Sequence, residues 1–366
     1  MNALNQSFFM GSFVFLSGWF SRSAICRSLQ RRESSHFMKV RIYRLLIPAV
    51  FFTLFIDPLM DVLMVAFGPN GAAWHRTMPR FLILSGSIFW DSWVKLAGIK
   101  GPVWYTVLLA IFDTVALFLT HLTETSYLMI TQRSASTILK LWMAVIILSF
   151  TVRQAWPVGA VFGPLNLQPA FLPQYIFAYG LGQASETVHD PCAFLLFHVQ
   201  KRPASRLICA LALSTISLGV IVYIPAAFAS VEMPPLDIDS ITGGLTFTAL
   251  LYAVWNEASF AMILPCLLST FSKYFNDPWV VNERRGRPLN LARYSYAAFL
   301  LHPPVSLIVE LYLDHLMGCH GVNPSRIPAS FGPLLWTLLT GCVNVVASWF
   351  AAVLLVEYVP LVGRII

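Results

Sequence analysis

Two arginines three residues apart, Arg41 and Arg44, stand at the start of a long apolar stretch, KVRIYRLLIPAVFFTLFI. A guanidinium at the centre of a membrane helix costs about 2.5–3.5 kcal/mol on insertion scales, and less near the interface. Residues at i and i+3 share a helix face, and cations in the first turns of a helix oppose its macrodipole. Two forked cations in such a place suit an anion, and phosphate oxygens match the guanidinium fork best. The alternative is that both are positive-inside charges that set topology. A second reactive group is His302, about eleven residues into an apolar stretch that starts near Leu291, or roughly 16 Å along a helix. Pro303 and Pro304 follow it. Lacking N–H groups, they release the carbonyls of Phe299 and Leu300 and kink the helix. An intramembrane histidine at a kink is a candidate general base. The other reading is a histidine that hydrogen-bonds the released carbonyls.

The elements that must position these groups are membrane helices. The chain has 366 residues, 57% hydrophobic and only 11% charged, against about 25% charged in soluble domains. Its mean hydropathy is +0.69. The fold class is therefore all-α: a polytopic transmembrane bundle, read as a single domain over 1–366. A span needs about 20 apolar residues. About nine are expected, at 5–20, 37–57, 102–121, 138–154, 172–187, 205–229, 242–270, 291–316 and 332–357. The first lacks a basic leader and a small-residue cleavage site, so it reads as a short span and not a signal peptide. The net charge of +7 gives no case for nucleic acid, because the basic residues cluster in short loops. The cysteines show no metal spacing, so no metal is expected; no bound cofactor is expected either.

Loop charge orients the bundle. With residue 1 outside or lumenal, only Arg76, Arg80, Lys95, Lys100, Arg153 and Arg326 lie outside; the other 18 of the 24 basic residues lie inside. That asymmetry puts the C-terminus in the cytoplasm. The segment 58–101 is too charged for a span and reads as interfacial or re-entrant, with Trp74, Trp90 and Trp93 near headgroup level. Asp57 and Asp61 around Pro58 read as a solvated helix exit. No internal repeat is present, which speaks against a transporter.

Five segments, in order, resemble the acyltransferase 3 family of membrane acyltransferases: NQSFFMGSFVFLSGWFSRS (5–23), FMKVRIYRLLIPAV (37–50), GPVWYTVLLAIF (101–112), QYIFAYGLG (174–182) and LARYSYAAFLLHPPVSLIVEL (291–311). The resemblance implies a ten-helix core that moves an acyl group, commonly acetyl, from coenzyme A to a hydroxyl of a sugar or small natural product. It implies acyl-CoA as co-substrate, a hydroxylated small molecule or glycan as acceptor, and Arg41 and Arg44 as contacts to the coenzyme A phosphates. The family's first helix carries a histidine thought to act as base, and no residue of this chain matches it. The chain is expected to lack that helix, either through an incomplete gene model or as a truncated, inactive paralogue.

Acyl transfer needs a base, an oxyanion donor and cations for the phosphates. Ser295 and Tyr296 lie one to two turns before His302, nearer the cytoplasm, and could bind the pantetheine or acyl region; Ser295, seven residues before His302, shares its helix face, which suggests a lined groove. Glu257, beside Asn256 near a span centre, and Trp104, after Gly101-Pro102, complete the candidate groove. For each the competing reading is helix packing or an interfacial anchor. Asp113, Glu310 and Asn344 are further polar residues inside spans, expected to find partners within the bundle.

Overall fold

The computed structural model describes residues 2–68, 78–95, 99, 101–123, 135–185, 202–228, 241–275, 280–284, 287–319 and 332–359. Among the described residues there are ten helices: α1 (Asn2–Gln30), α2 (Ser34–Phe67), α3 (Met78–Lys95), α4 (Trp104–Thr123), α5 (Ala135–Ala155), α6 (Leu172–Ser185), α7 (Pro203–Phe228), α8 (Phe247–Tyr274), α9 (Ser295–Cys319) and α10 (Gly332–Tyr358). A short antiparallel hairpin, β1 (Val280–Arg284) and β2 (Arg287–Asn290), precedes α9. Each of the nine expected spans coincides with a helix. Six among the described residues are long and apolar enough to cross a membrane: α2, Gly101–His121, Pro203–Val222, α8, Ser295–Leu313 and Trp336–Tyr358. Among the described residues α6 runs for 14 residues, a rise of about 21 Å. The charged segment expected at the interface contains α3, whose Trp90 and Trp93 are exposed; Trp74 lies outside the described residues.

The chain forms two compact units. One comprises 1–40, 108–162 and 167–277; the other comprises 41–107, 163–166 and 278–366. In the first, α1 lies against α6 and α8. Two glycines set the α1–α6 approach. A Cβ at Gly18 would overlap the Tyr179 carbonyl, and one at Gly182 would overlap that of Phe15. Small residues let membrane helices approach until their backbones touch. Gly11 of α1 meets α8 in the same manner, where an added Cβ would fall 2.7 Å from the Phe260 ring. Helices α7 and α8 are tied by Trp255, whose indole N–H donates to the Ser214 carbonyl at 2.9 Å, and by the Ser214 and Ser259 hydroxyls at 2.5 Å.

In the second unit, α9 packs on α10 through Ala297, Ala298, Ala352 and Val356. Asn344 donates to Ser306 between the same helices. Tyr294 donates to Glu357 at 2.6 Å, and Arg293 pairs with Glu357 at 3.7 Å. Helix α2 is interrupted by two π turns, Ile42–Leu46 and Phe52–Ile56. Asp57, expected in water, is buried at the second of these turns, because the helix continues past Pro58 to Phe67.

The α1–α6 contact makes a direct expectation. Gly182→Leu lowers the unfolding midpoint of the detergent-purified protein sharply, since it overlaps backbone and no rotamer relieves it. Gly180→Leu, whose added Cβ has nothing within 4 Å, leaves the midpoint nearly unchanged.

Candidate functional site

The second unit collects three of the five sequence segments on one set of contacts. Gly101 turns the chain at φ +64, and an added Cβ would sit 2.7 Å from the Phe52 ring. Behind it, Ala49, Phe52 and Val103 form a buried cluster joined by Leu300 of α9. The stretch after Gly101-Pro102, the arginine helix and the histidine helix thus share one core. Rings run from Trp104 to Tyr105 (6.2 Å between centroids), to Phe299 (5.9 Å) and to His302 (5.7 Å).

Prolines decide the local chemistry. An α-helical proline leaves the carbonyl four residues earlier without its donor. Pro48 does this to Arg44, and the hydroxyl of Tyr296 donates to the Arg44 carbonyl at 2.8 Å. Pro58 does it to Leu54, and the indole N–H of Trp93 donates there at 2.9 Å. Pro303 does it to Phe299, and His302 Nδ1 lies 2.5 Å from that carbonyl. A carbonyl only accepts, so the imidazole carries its proton on Nδ1. The unprotonated Nε2 is then the basic nitrogen, the tautomer a general base requires.

Arg41 is half-buried and Arg44 exposed. The π turn that starts at Ile42 closes its hydrogen bond from the Ile47 N–H to the Ile42 carbonyl. This five-residue step underwinds the helix, so Arg41 and Arg44 leave its backbone at a wider angle than α-helical i, i+3 neighbours do. Such turns occur often at functional sites. Tyr296 fixes the Arg44 backbone directly, so the Arg44–Tyr296 pairing is a contact between two candidate residues. Ser295 and His302 are both exposed on α9, and Trp104 is half-buried.

Glu257 lies in the first unit, in a different setting. It is fully buried. Its Oε1 accepts from Ser149 Oγ at 3.0 Å and from Asn256 Nδ2 at 3.1 Å, while Oε2 has no hydrogen-bond partner. No histidine is among these partners. Nearby Arg153 is also fully buried, although its place near a loop reads in the sequence as an outer charge. Its guanidinium carbon lies 5.2 Å from the Tyr252 ring centroid and 5.6 Å from that of Phe171. A third node is Asp113, which accepts from Tyr179 at 2.6 Å and from Ser21. Sequence reasoning flagged Glu257 and Asp113 by cost alone. It missed Arg153 and Gln174, for which the only signal was position inside an apolar helix. Among the described residues no group of histidine, cysteine and acid side chains is arranged to hold a metal.

A family model described as an acyltransferase domain matches residues 2–353. No curated protein and no solved structure matches the chain.

The proline–carbonyl pairing is open to a thermodynamic cycle. Tyr296→Phe costs about 1 kcal/mol of stability, a typical net hydrogen-bond contribution. Pro48→Ala returns an N–H to the Arg44 carbonyl, so the same Tyr296→Phe change in that background costs close to nothing. Unfolding midpoints of the four proteins measure the coupling, and equal costs in both backgrounds would remove the pairing from the account.

Proposed function

The chain belongs to the acyltransferase 3 family, and from that membership we propose that it is an integral membrane O-acyltransferase. It takes an acyl group, acetyl being the simplest, from acyl-CoA and passes it to a hydroxyl of a sugar or small natural product. The observation that carries this reading is the π turn Ile42–Leu46, which follows Arg41, contains Arg44 and is held by Tyr296 through the Arg44 carbonyl. A rigid backbone under two guanidinium groups lowers the entropy lost on gripping a phosphate. Planar forks bind phosphate oxygens two at a time.

In this mechanism Arg41 and Arg44 hold the nucleotide phosphates of the donor at the cytoplasmic end of α2. His302 Nε2 removes the proton of the acceptor hydroxyl. The hydroxyl oxygen attacks the thioester carbon, the carbon–sulfur bond breaks, and coenzyme A leaves as the thiol after taking up the proton from His302. The Nδ1–H bond to Phe299 supports this role, because it holds the ring and stabilises the imidazolium that forms. Tyr296 and Ser295, on the same helix, line the path of the pantetheine arm. Trp104 meets His302 through the ring series and flanks the acceptor.

Purified protein in lipid nanodiscs, with labelled acetyl-CoA and a mixed panel of glycosides, tests the reading. Arg41→Ala and Arg44→Ala should each raise the KM for acyl-CoA by about tenfold or more, and lysine at either position should recover little of it. His302→Gln should lower kcat by roughly 10²-fold or more with KM for the donor unchanged. Undiminished transfer in all three variants would refute the assignment.

A further inference from the structure

The first unit holds a second polar constellation that the mechanism above does not use. Arg153, Glu257, Asn256 and Gln174 are all fully buried. They sit on three helices, α5, α8 and α6. The charges of Arg153 and Glu257 act on each other, and Gln174 lies beside Glu257. Part of the set is satisfied: Glu257 Oε1 by Ser149 and Asn256, and Gln174 Nε2 by donation to the Ser7 carbonyl at 2.8 Å. The remainder is not. Arg153 Nε, Nη1 and Nη2, Glu257 Oε2, Asn256 Oδ1 and Gln174 Oε1 have no hydrogen-bond partner and no contact with solvent. The Tyr252 and Phe171 rings offset part of the cationic charge, but they take none of the in-plane N–H groups.

Buried unmatched polar groups in a native protein call for an explanation. The unmatched atoms here have a pattern. One fork supplies donors, three separate oxygens supply acceptors, and the two formal charges cancel. An anion would answer Arg153 but face Glu257 and two carbonyl oxygens. A cation would answer Glu257 and face Arg153. A hydroxyl both donates and accepts, so an uncharged molecule bearing several hydroxyls matches the whole set. Beside the cluster, the turn that precedes α8 lies against the end of α5. Thr242 accepts from the Val158 N–H at 3.1 Å, and Gly243 packs so closely on the last turn of α5 that its Cβ would fall 3.0 Å from the Arg153 carbonyl. Gly159 and Gly244 on either side of this contact have φ of +100 and +82, conformations that glycine adopts without strain.

We propose that Arg153, Glu257, Asn256 and Gln174 are the closed form of a binding site for a small, uncharged, polyhydroxylated molecule, admitted when the Ile241–Thr246 segment lifts from α5. The assignment concerns binding alone. It stands or falls apart from acyl transfer, and its test contains no acyl donor.

The full chain in nanodiscs is titrated with glycerol, myo-inositol and methyl α-glucopyranoside, and separately with sodium acetate and choline chloride, reading the unfolding midpoint by tryptophan fluorescence. Polyols raise the midpoint of any protein by exclusion from its surface, without saturation and equally in variants. The expected result is a saturable rise with at least one of the three polyols. Arg153→Met abolishes it, and Asn256→Ala, which keeps both charges, weakens the apparent affinity about tenfold, the worth of one hydrogen bond. If Arg153→Met does not fold, Glu257→Gln takes its place. Three outcomes overturn the proposal: no saturable response to any polyol, the same response in wild type and Asn256→Ala, or saturation by acetate or choline instead.

Discussion

Every proline inside a membrane helix leaves a carbonyl that lipid cannot solvate. The rest of the second unit depends on how those carbonyls are answered. Hydrocarbon offers no donor, so another helix or a side chain must supply one. Three prolines meet the requirement in three ways: Pro48 with the Tyr296 hydroxyl, Pro58 with the Trp93 indole, and Pro303 with the His302 imidazole. Each answer also performs a second task. The first ties α9 to the arginine turn of α2. The second anchors α3. The third selects the tautomer of the histidine. A substitution at any donor therefore changes geometry at a candidate functional group as well as stability.

The first unit is governed by close backbone approach. Gly18 and Gly182 bring α1 and α6 together, and Gly11 brings α1 onto α8. This leaves Asp113, Glu257 and Arg153 buried among helices. Asp113 is answered by two hydroxyls, from α1 and α6. Glu257 is answered on one oxygen only. The contrast between a satisfied acid and a half-satisfied one in the same unit is what separates a packing device from a candidate site.

Composition made the helical membrane class legible, and apolar runs located a helix at each of the nine expected positions, six of which are long and apolar enough to cross a membrane among the described residues, because hydrophobic length is a local property. Small residues in GSFVFLSGWF permit close helix approach, and Gly18 and Gly11 take that role in the structure. The prolines after His302 announced released carbonyls, and one of them is taken by the histidine itself. Other features were not legible. The π turns arise from proline combined with tertiary donors on α3 and α9, far away in sequence. Arg153 looked like an outer charge because it stands at the very end of the expected 138–154 span, whereas the fold places it between aromatic rings. Asp57 looked solvated for a similar reason, since Pro58 resembles a helix stop while α2 continues through it. The hairpin β1–β2 lies in a charged loop with no alternating pattern to reveal it.

The claim most exposed to test is that the Arg41–Arg44 turn recognises the phosphate-bearing end of an acyl carrier. Competition binding with labelled acetyl-CoA, in nanodiscs at two salt concentrations, addresses it directly. The account predicts that coenzyme A displaces the label, that pantetheine, which lacks the nucleotide and its phosphates, displaces it far more weakly, and that the gap narrows as salt rises. Equal displacement by pantetheine and coenzyme A, independent of salt, would contradict it.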